Sequence, residues 1–401
     1  MANLDHVNKL LEGAVSWNAW RNEYPDIKPD LERLIISPET CRETPLWNAQ
    51  TSLIDLRGAN LSEANLQYSK FKSVGLSRAN LDQADLREVR IEWTDLREAN
   101  LRQADLTRGY LEKVNLQQAN LDQAKLTEAR LDMVGLDQAN LKETDLGRAT
   151  IIRGKMKDAQ LQKADLSSTY LQEVDLTGAN LEKSILRKAR LEKADLTRAN
   201  LTGADLFSAC LTGVRLTAAC LGDTDLECAD LRRADLRAAD FRGAHVTDLK
   251  YNRWARYRGI RLEGCYGSPR FARFAKDQEY IEEFRGEGRG LNYWFIYLPW
   301  LISSDCGRSI LLWAGWSVIL AMGFGFHYYT LGPEHFEIAH LPFSKSTMVY
   351  HSLVTFTTLG FGDIVPKTTY ATWWVLAEVL IGYVMLGGLI AIFANKLARR
   401  S

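Results

Sequence analysis

From Leu56 to Val246 every fifth residue is a bulky apolar side chain, 39 positions in unbroken register, each Leu, Ile, Met, Phe or Val. Two residues before each centre, from Ala59 to Ala244, the side chain is always Ala, Val, Thr, Ser or Gly. An α-helix cannot bury such a series, because steps of five residues carry the apolar groups around all sides of a 3.6-residue turn. A coil built from four repeats can, and it makes residues 20 apart stacked equivalents. The small positions 59, 79, 99 and onward to 239 are all Ala, whereas the phase 74, 94, 114, 134, 154, 174 reads Val, Thr, Val, Val, Gly, Val. Asn60, Asn80, Asn100, Asn120, Asn140, Asn180 and Asn200 follow the all-Ala column and predict an amide ladder from coil to coil. At β-strand spacing of about 4.8 Å, roughly ten coils make a rod about 45 Å long.

The motif written as Ala59-Asn60-Leu61 or Ala164-Asp165-Leu166 resembles the pentapeptide-repeat family. The resemblance implies a right-handed quadrilateral β-helix over residues 51–248, with the central Leu and the small residue pointing inward. Some members of that family are acidic rods that imitate DNA. Such mimicry needs a strongly negative surface, and residues 51–250 carry 30 Lys or Arg against 31 Asp or Glu. The balance argues against a nucleic-acid mimic and for a scaffold or docking rod with a cytosolic protein as partner. Residues 1–50, with Leu10, Leu11, Val15, Trp17 and Trp20 at helical spacing, predict a helical cap over the open first coil.

Beyond Val246 the five-residue register stops, and residues 249–304 are expected to be a cytosolic linker. Ser268 and Pro269 suit an N-cap and first helical position ahead of Phe271, Phe274, Ile281 and Phe284. The run 291–303, interrupted by Pro299, is too short to span a bilayer; it reads either as an interfacial segment or as a buried core helix. Two segments do reach spanning length, 309–330 and 370–395, with Trp, Tyr and His at their proposed outer ends. Basic residues concentrate between Arg253 and Arg308 and again at Lys396, Arg399 and Arg400, while only Lys345 and Lys367 lie between the spans. That asymmetry predicts a cell-membrane protein with both termini and the rod on the cytoplasmic side. Asp5 and Glu12 interrupt the stretch where an export signal would need apolar residues. The six cysteines form no CxxC pair and read as reduced thiols.

Between the spans, a short apolar segment, 342–356, leads into Thr357-Thr358-Leu359-Gly360-Phe361-Gly362-Asp363. Irregular backbone at membrane depth survives only where protein or a water-filled path satisfies its polar groups. Glycines at alternate positions allow successive carbonyls to turn to one side, where they replace the hydration shell of an ion. Span, half-helix, Thr-x-Gly-(Tyr/Phe)-Gly-Asp loop and span together resemble the two-transmembrane potassium-channel pore, over about residues 305–398. The resemblance implies an all-α membrane domain, 305–401, in which Thr358, Leu359, Gly360 and Phe361 supply the carbonyls of a selectivity filter for K+, with Gly362 and Asp363 at its outer end. Phe361 stands where Tyr is commoner, and Val354 stands where many bacterial pores carry a glutamate that pairs with the filter aspartate.

Gly382 falls where the resemblance places a hinge glycine, and Gly387-Gly388 offer a second flexible point; close helix packing is the other reading of all three. Leu386, Ile390 and Ala394 are expected to line an inner cavity or gate. Glu378, a carboxyl inside a span, is a functional candidate with a pore-helix hydroxyl or His351 as its expected partner. His327, His335 and His340 fall in the outer loop, as pH or metal responders or as solvated side chains. One filter strand cannot encircle an ion, so a homotetramer is expected. No catalytic constellation and no cofactor is expected beyond the permeant ion. A membrane-tethered scaffold and a weakly selective cation channel are the alternatives.

Overall fold

The computed structural model describes residues 2–48, 53–285, 302 and 309–398. It divides into two compact units, Met1–Glu282 and Glu283–Ser401.

The first unit is a β-helix. Four ladders of parallel bridges run along it, linking residues 20 apart over most of its length: Asn60 to Asn80, Asn65 to Asp85, Lys70 to Arg90 and Gly75 to Asp95 stand one in each of four columns. Four columns are four faces, as a 20-residue coil requires. The central residues and the small residues two before them fill the interior at essentially zero exposure, from Leu56 and Ala59 to Ala244 and Val246. Where the small position is a hydroxyl, it finds a carbonyl: Thr144 Oγ1 donates to Leu121 O and Thr169 Oγ1 to Leu146 O, both at 2.8 Å. A buried hydroxyl without such a partner costs more than the methyl it displaces.

The corners explain the five-residue unit. After each centre the chain turns, with the amide of Ala64 returning to Leu61 O at 3.2 Å, and the third turn residue is left-handed: Glu63, Tyr68, Ser73 and Arg78 have φ of 56°, 59°, 57° and 59°. The pattern repeats along the rod on Lys, Arg, Gln and Glu side chains, which tolerate this region only because the coils above and below impose it. The Asn ladder forms as the spacing predicts: Asn80 Nδ2 donates to Asn60 Oδ1 at 3.1 Å, Asn100 to Asn80 at 2.9 Å and Asn140 to Asn120 at 2.8 Å. Surface charges cancel locally, within a turn as in Arg242–Asp240 (2.6 Å) or between coils as in Arg78–Glu98 (2.9 Å).

Both ends of the solenoid are closed by side chains that replace a missing coil. Helix α1 (Leu4–Leu11) and helix α2 (Ala14–Glu23) cover the first coil. Inside the rod, Leu61 N donates to Asn80 O and Asn80 N to Ala59 O. At the edge, Trp17 Nε1 donates to Asn60 O and Asn18 Oδ1 accepts from Asn60 N, both at 2.7 Å, while Arg21 reaches Ser62 O at 3.3 Å. The expected cap is therefore helical, but it holds more than helices. Residues 29–36 already belong to the ladder: Asp30 bridges Asn65, and strand Ile35–Ile36 pairs in parallel with Lys70 and Phe71. The offset is 35 residues because helix α3 (Pro38–Cys41) and the strand Trp47–Asn48 are interposed.

At the other end the coil continues past Val246, where the repeat pattern predicted a linker. Lys250 still bridges Asp230, but Arg256, Arg261 and Tyr266 bridge Asp235, Asp240 and His245 at an offset of 21. One inserted residue shifts the register, after which Tyr257 and Leu262 occupy central positions and are buried. Helix α4 (Pro269–Arg285) then caps this coil, starting as predicted at Ser268, whose Oγ accepts from Phe271 N at 3.3 Å. Phe271 packs on Tyr251 and Phe241, and the outward amides of Tyr257 and Gly259 donate to the carboxylates of Glu282 (3.0 Å) and Glu279 (2.8 Å). The run 291–303 lies outside the described residues.

Among the described residues of the second unit are three α-helices of twelve residues or more. Helix α5 (Ile310–Leu331) and helix α7 (Thr369–Ala398) hold the stretches Ile310–Leu331 and Thr369–Ala394, both long and apolar enough to cross a bilayer. Helix α6 (Lys345–Phe356) has 12 residues, about 18 Å, and cannot span. Ser344 caps it by accepting from Thr347 N at 3.1 Å. Strands Phe336–Ile338 and Ile364–Pro366 pair antiparallel and tie the segment before α6 to the segment after the filter loop.

Candidate ion-conduction site

Helix α6 ends in the loop that carries the filter motif. Leu353 O accepts from Thr357 N at 3.1 Å, Thr355 O from Thr358 N at 3.0 Å and Val354 O from Leu359 N at 3.0 Å. The carbonyl end of a helix carries partial negative charge, which favours a cation beside Thr358. Beyond it, Thr358, Gly360 and Gly362 have φ of 59°, 48° and 74°, so left-handed residues alternate along the strand. That alternation is the backbone form in which successive carbonyls turn to a common side, and glycine makes two of its three positions free of Cβ strain. A Cβ on Gly360 or Gly362 would meet nothing within 4 Å, and Leu359 and Phe361 are 64% and 65% exposed. A single chain thus presents the loop without covering it.

Asp363 follows the last glycine and its carbonyl accepts from Ala339 N at 3.0 Å. Val354 is buried in the unit. One turn earlier on the same helix, the Tyr350 phenol is pushed up by the nearby Asp363 carboxylate.

The remaining candidates separate. Gly382 presses its α-carbon on the end of α6, where a Cβ would overlap the Phe356 carbonyl oxygen, and Gly388 lies against the ring of Trp313, so both make close helix contacts. Gly387 has open space around it. α7 runs through all three glycines as one helix. Leu386, Ile390 and Ala394 are exposed in the single chain. Glu378 is fully buried. Its partners are the pore-helix hydroxyl of Ser352 and, unanticipated, the hydroxyl of Tyr328 on α5, which donates to Glu378 Oε2 at 2.7 Å. His351 is not a partner; its ring packs on Tyr328 and Phe336. In the segment between α5 and α6 His335 Nδ1 contacts Thr368 Oγ1 at 2.7 Å and His340 is exposed, whereas His327, expected in that loop, lies within α5 and packs on Trp374.

Two apolar helices of spanning length flanking a half-helix and a loop of alternating left-handed residues define a membrane pore unit, joined in this chain to a β-helical rod. The chain matches the pentapeptide-repeat family model repeatedly between residues 42 and 248 and the ion channel family model over residues 315–399. It therefore unites a pentapeptide-repeat β-helix with an ion channel domain, neither of which is an enzyme family. Among solved structures it is similar to HetL, a pentapeptide repeat protein involved in heterocyst differentiation regulation from the cyanobacterium Nostoc sp. strain PCC 7120, at 29% identity over 50% of this chain and 88% of that one, with a TM-score of 0.38. It is also similar to QnrB1, a plasmid-mediated fluoroquinolone resistance protein, at 15% identity over 52% of this chain and 98% of that one, with a TM-score of 0.33. No curated protein matches the chain.

Proposed function

We propose that the protein is a potassium-selective channel of four identical chains in the cell membrane, with both termini and the rod on the cytoplasmic side. The observation that carries this reading is the loop 358–362, whose alternating left-handed residues suit a row of carbonyl ligands while its Leu359 and Phe361 side chains stand uncovered. Four copies of such a strand surround an ion, and packing among them covers the apolar side chains. Thr358, Leu359, Gly360 and Phe361 then bind K+, with the Thr358 hydroxyl at the inner end. Ions pass by knock-on between adjacent sites. Leu386, Ile390 and Ala394 face the inner cavity, and Gly387 is the hinge candidate with room to change conformation. The basic flanks of the two spans support the orientation.

The rod serves as a docking or regulatory module for a cytosolic protein. Its balanced charge, local ion pairing and closed ends support a soluble, rigid presentation surface. Potassium flux into liposomes holding the purified full chain tests the channel; absence of flux in every condition contradicts it. Deleting residues 1–285, the whole rod with its caps, tests its role: unchanged assembly, gating and protein interactions would remove it.

A further inference from the structure

Helices α5, α6 and α7 meet at a buried polar junction. Glu378 on α7, Ser352 on α6 and Tyr328 on α5 are each fully buried within a single chain. The Tyr328 hydroxyl donates to Glu378 Oε2 at 2.7 Å; Ser352 Oγ contacts Glu378 Oε1 and also donates to Ala321 O at 2.6 Å. Small residues bring the backbones together around it. Gly382, one turn beyond Glu378, meets the Phe356 carbonyl at the end of α6, and at Gly325 a Cβ would lie 2.6 Å from Val349 Cα. Ser352 stands six residues before Thr358, on the helix whose last carbonyls hold the filter loop.

A carboxyl in such a place is costly, and an apolar side chain of similar volume would fill the space at lower cost. What the carboxyl adds is a fixed, two-sided connection. The hydrogen count shows how it is made. Ser352 has one hydroxyl hydrogen and the Ala321 carbonyl only accepts, so the Ser352–Glu378 contact is completed by a hydrogen carried on residue 378. A carboxylic acid supplies it while its other oxygen accepts from Tyr328, and a glutamine amide would do the same.

We infer that Glu378 is a positioning residue that couples α7 to the filter-bearing half-helix α6, so that displacement of α7 reaches Thr358–Gly362 through Ser352. The inference rests on the ion-channel reading and adds to it a route between inner helix and filter. Glu378 does not line the ion path, so its removal changes how often the pore is open and leaves the current through an open pore unchanged.

The test is single-channel recording of the full chain in planar bilayers with potassium. E378A and S352A are each expected to shift open probability by about 5- to 150-fold, the span of typical coupling between sites. The double variant is expected to shift it no further than the larger single, because both remove one connection. E378Q is expected to gate like the wild type, with unitary conductance the same in all. Should E378A fail to assemble, S352A and Y328F remove one hydroxyl each and give the same reading. Assembled S352A or E378A channels with wild-type open probability would overturn the coupling, as would independent effects in the double variant or an E378Q that behaves like E378A. A wild type silent in all conditions overturns the channel reading and this inference together, whereas wild-type currents with indifferent variants overturn the inference alone.

Discussion

In the rod, every edge that a single chain creates is answered by that chain: Trp17, Asn18 and Arg21 at the first coil, Glu279 and Glu282 at the last. In the pore unit the reverse holds, since Leu359, Phe361, Val384 and Ile390 are 64%, 65%, 70% and 60% exposed on the segments that carry the filter motif and the inner helix. Both regions are rich in leucine, so hydrophobic content does not separate them. The difference lies in where the partner surface comes from. The rod's apolar stripe meets itself once per coil, whereas the pore unit's apolar faces are left uncovered by the chain that carries them.

The contrast can be broken most directly at Gly360. Its φ of 48° is poorly tolerated by a β-branched residue, so Gly360→Val is expected to bring potassium flux to background while the oligomer, followed by native mass, persists. A Gly360→Val protein that conducts normally would remove the loop from the conduction path. In the rod the largest effect belongs to the interior: Leu141→Ala, at a fully buried centre, is expected to cost about 2–5 kcal/mol in denaturant unfolding. An effect below 0.5 kcal/mol would mean that the coils do not depend on their central side chains and would contradict the packing.

A smaller effect is expected at the closed edge. Asn18→Ala leaves the Asn60 amide without its side-chain partner, at about 1–3 kcal/mol, and amide exchange at Asn60 should accelerate while exchange at Asn120 stays unchanged. Uniform acceleration along the rod would show that the cap acts on the whole solenoid and not on its edge. The smallest effect is acid sensitivity. The neighbouring arginine holds Asp55, Asp95, Asp230 and Asp240 below the usual carboxylate range. A carboxylate depressed in the folded state stabilises it above the unfolded value and loses that contribution as pH falls below about 3.9. The rod's melting temperature should therefore decline below that pH and be nearly flat above it; a decline already between pH 7 and 5 would point to other groups.

The periodic features of both regions could be read from residue spacing, and the singular ones could not. The 20-residue coil, the Asn ladder and the helix start at Ser268 follow from rules that repeat or have local signatures. The coil through Tyr266 escaped notice because one inserted residue between Lys250 and Arg256 breaks the count while Tyr257 and Leu262 keep filling the core. The strand Ile35–Ile36 was hidden in the same way, by an interposed segment that makes its offset 35. Left-handed corners left no mark, since Lys, Arg, Gln and Glu occupy them as often as any residue that favours the region. In the pore unit the filter motif is evident, but Tyr328 is a single hydroxyl whose importance depends on the buried carboxyl across from it.

The central claim is selectivity, and the bi-ionic reversal potential tests it. With the full chain in a planar bilayer, potassium on one side and sodium on the other, the account predicts current that reverses far toward the potassium equilibrium potential, as carbonyl ligands replacing a potassium hydration shell require. A reversal near zero millivolts would show that potassium and sodium pass alike and would contradict it.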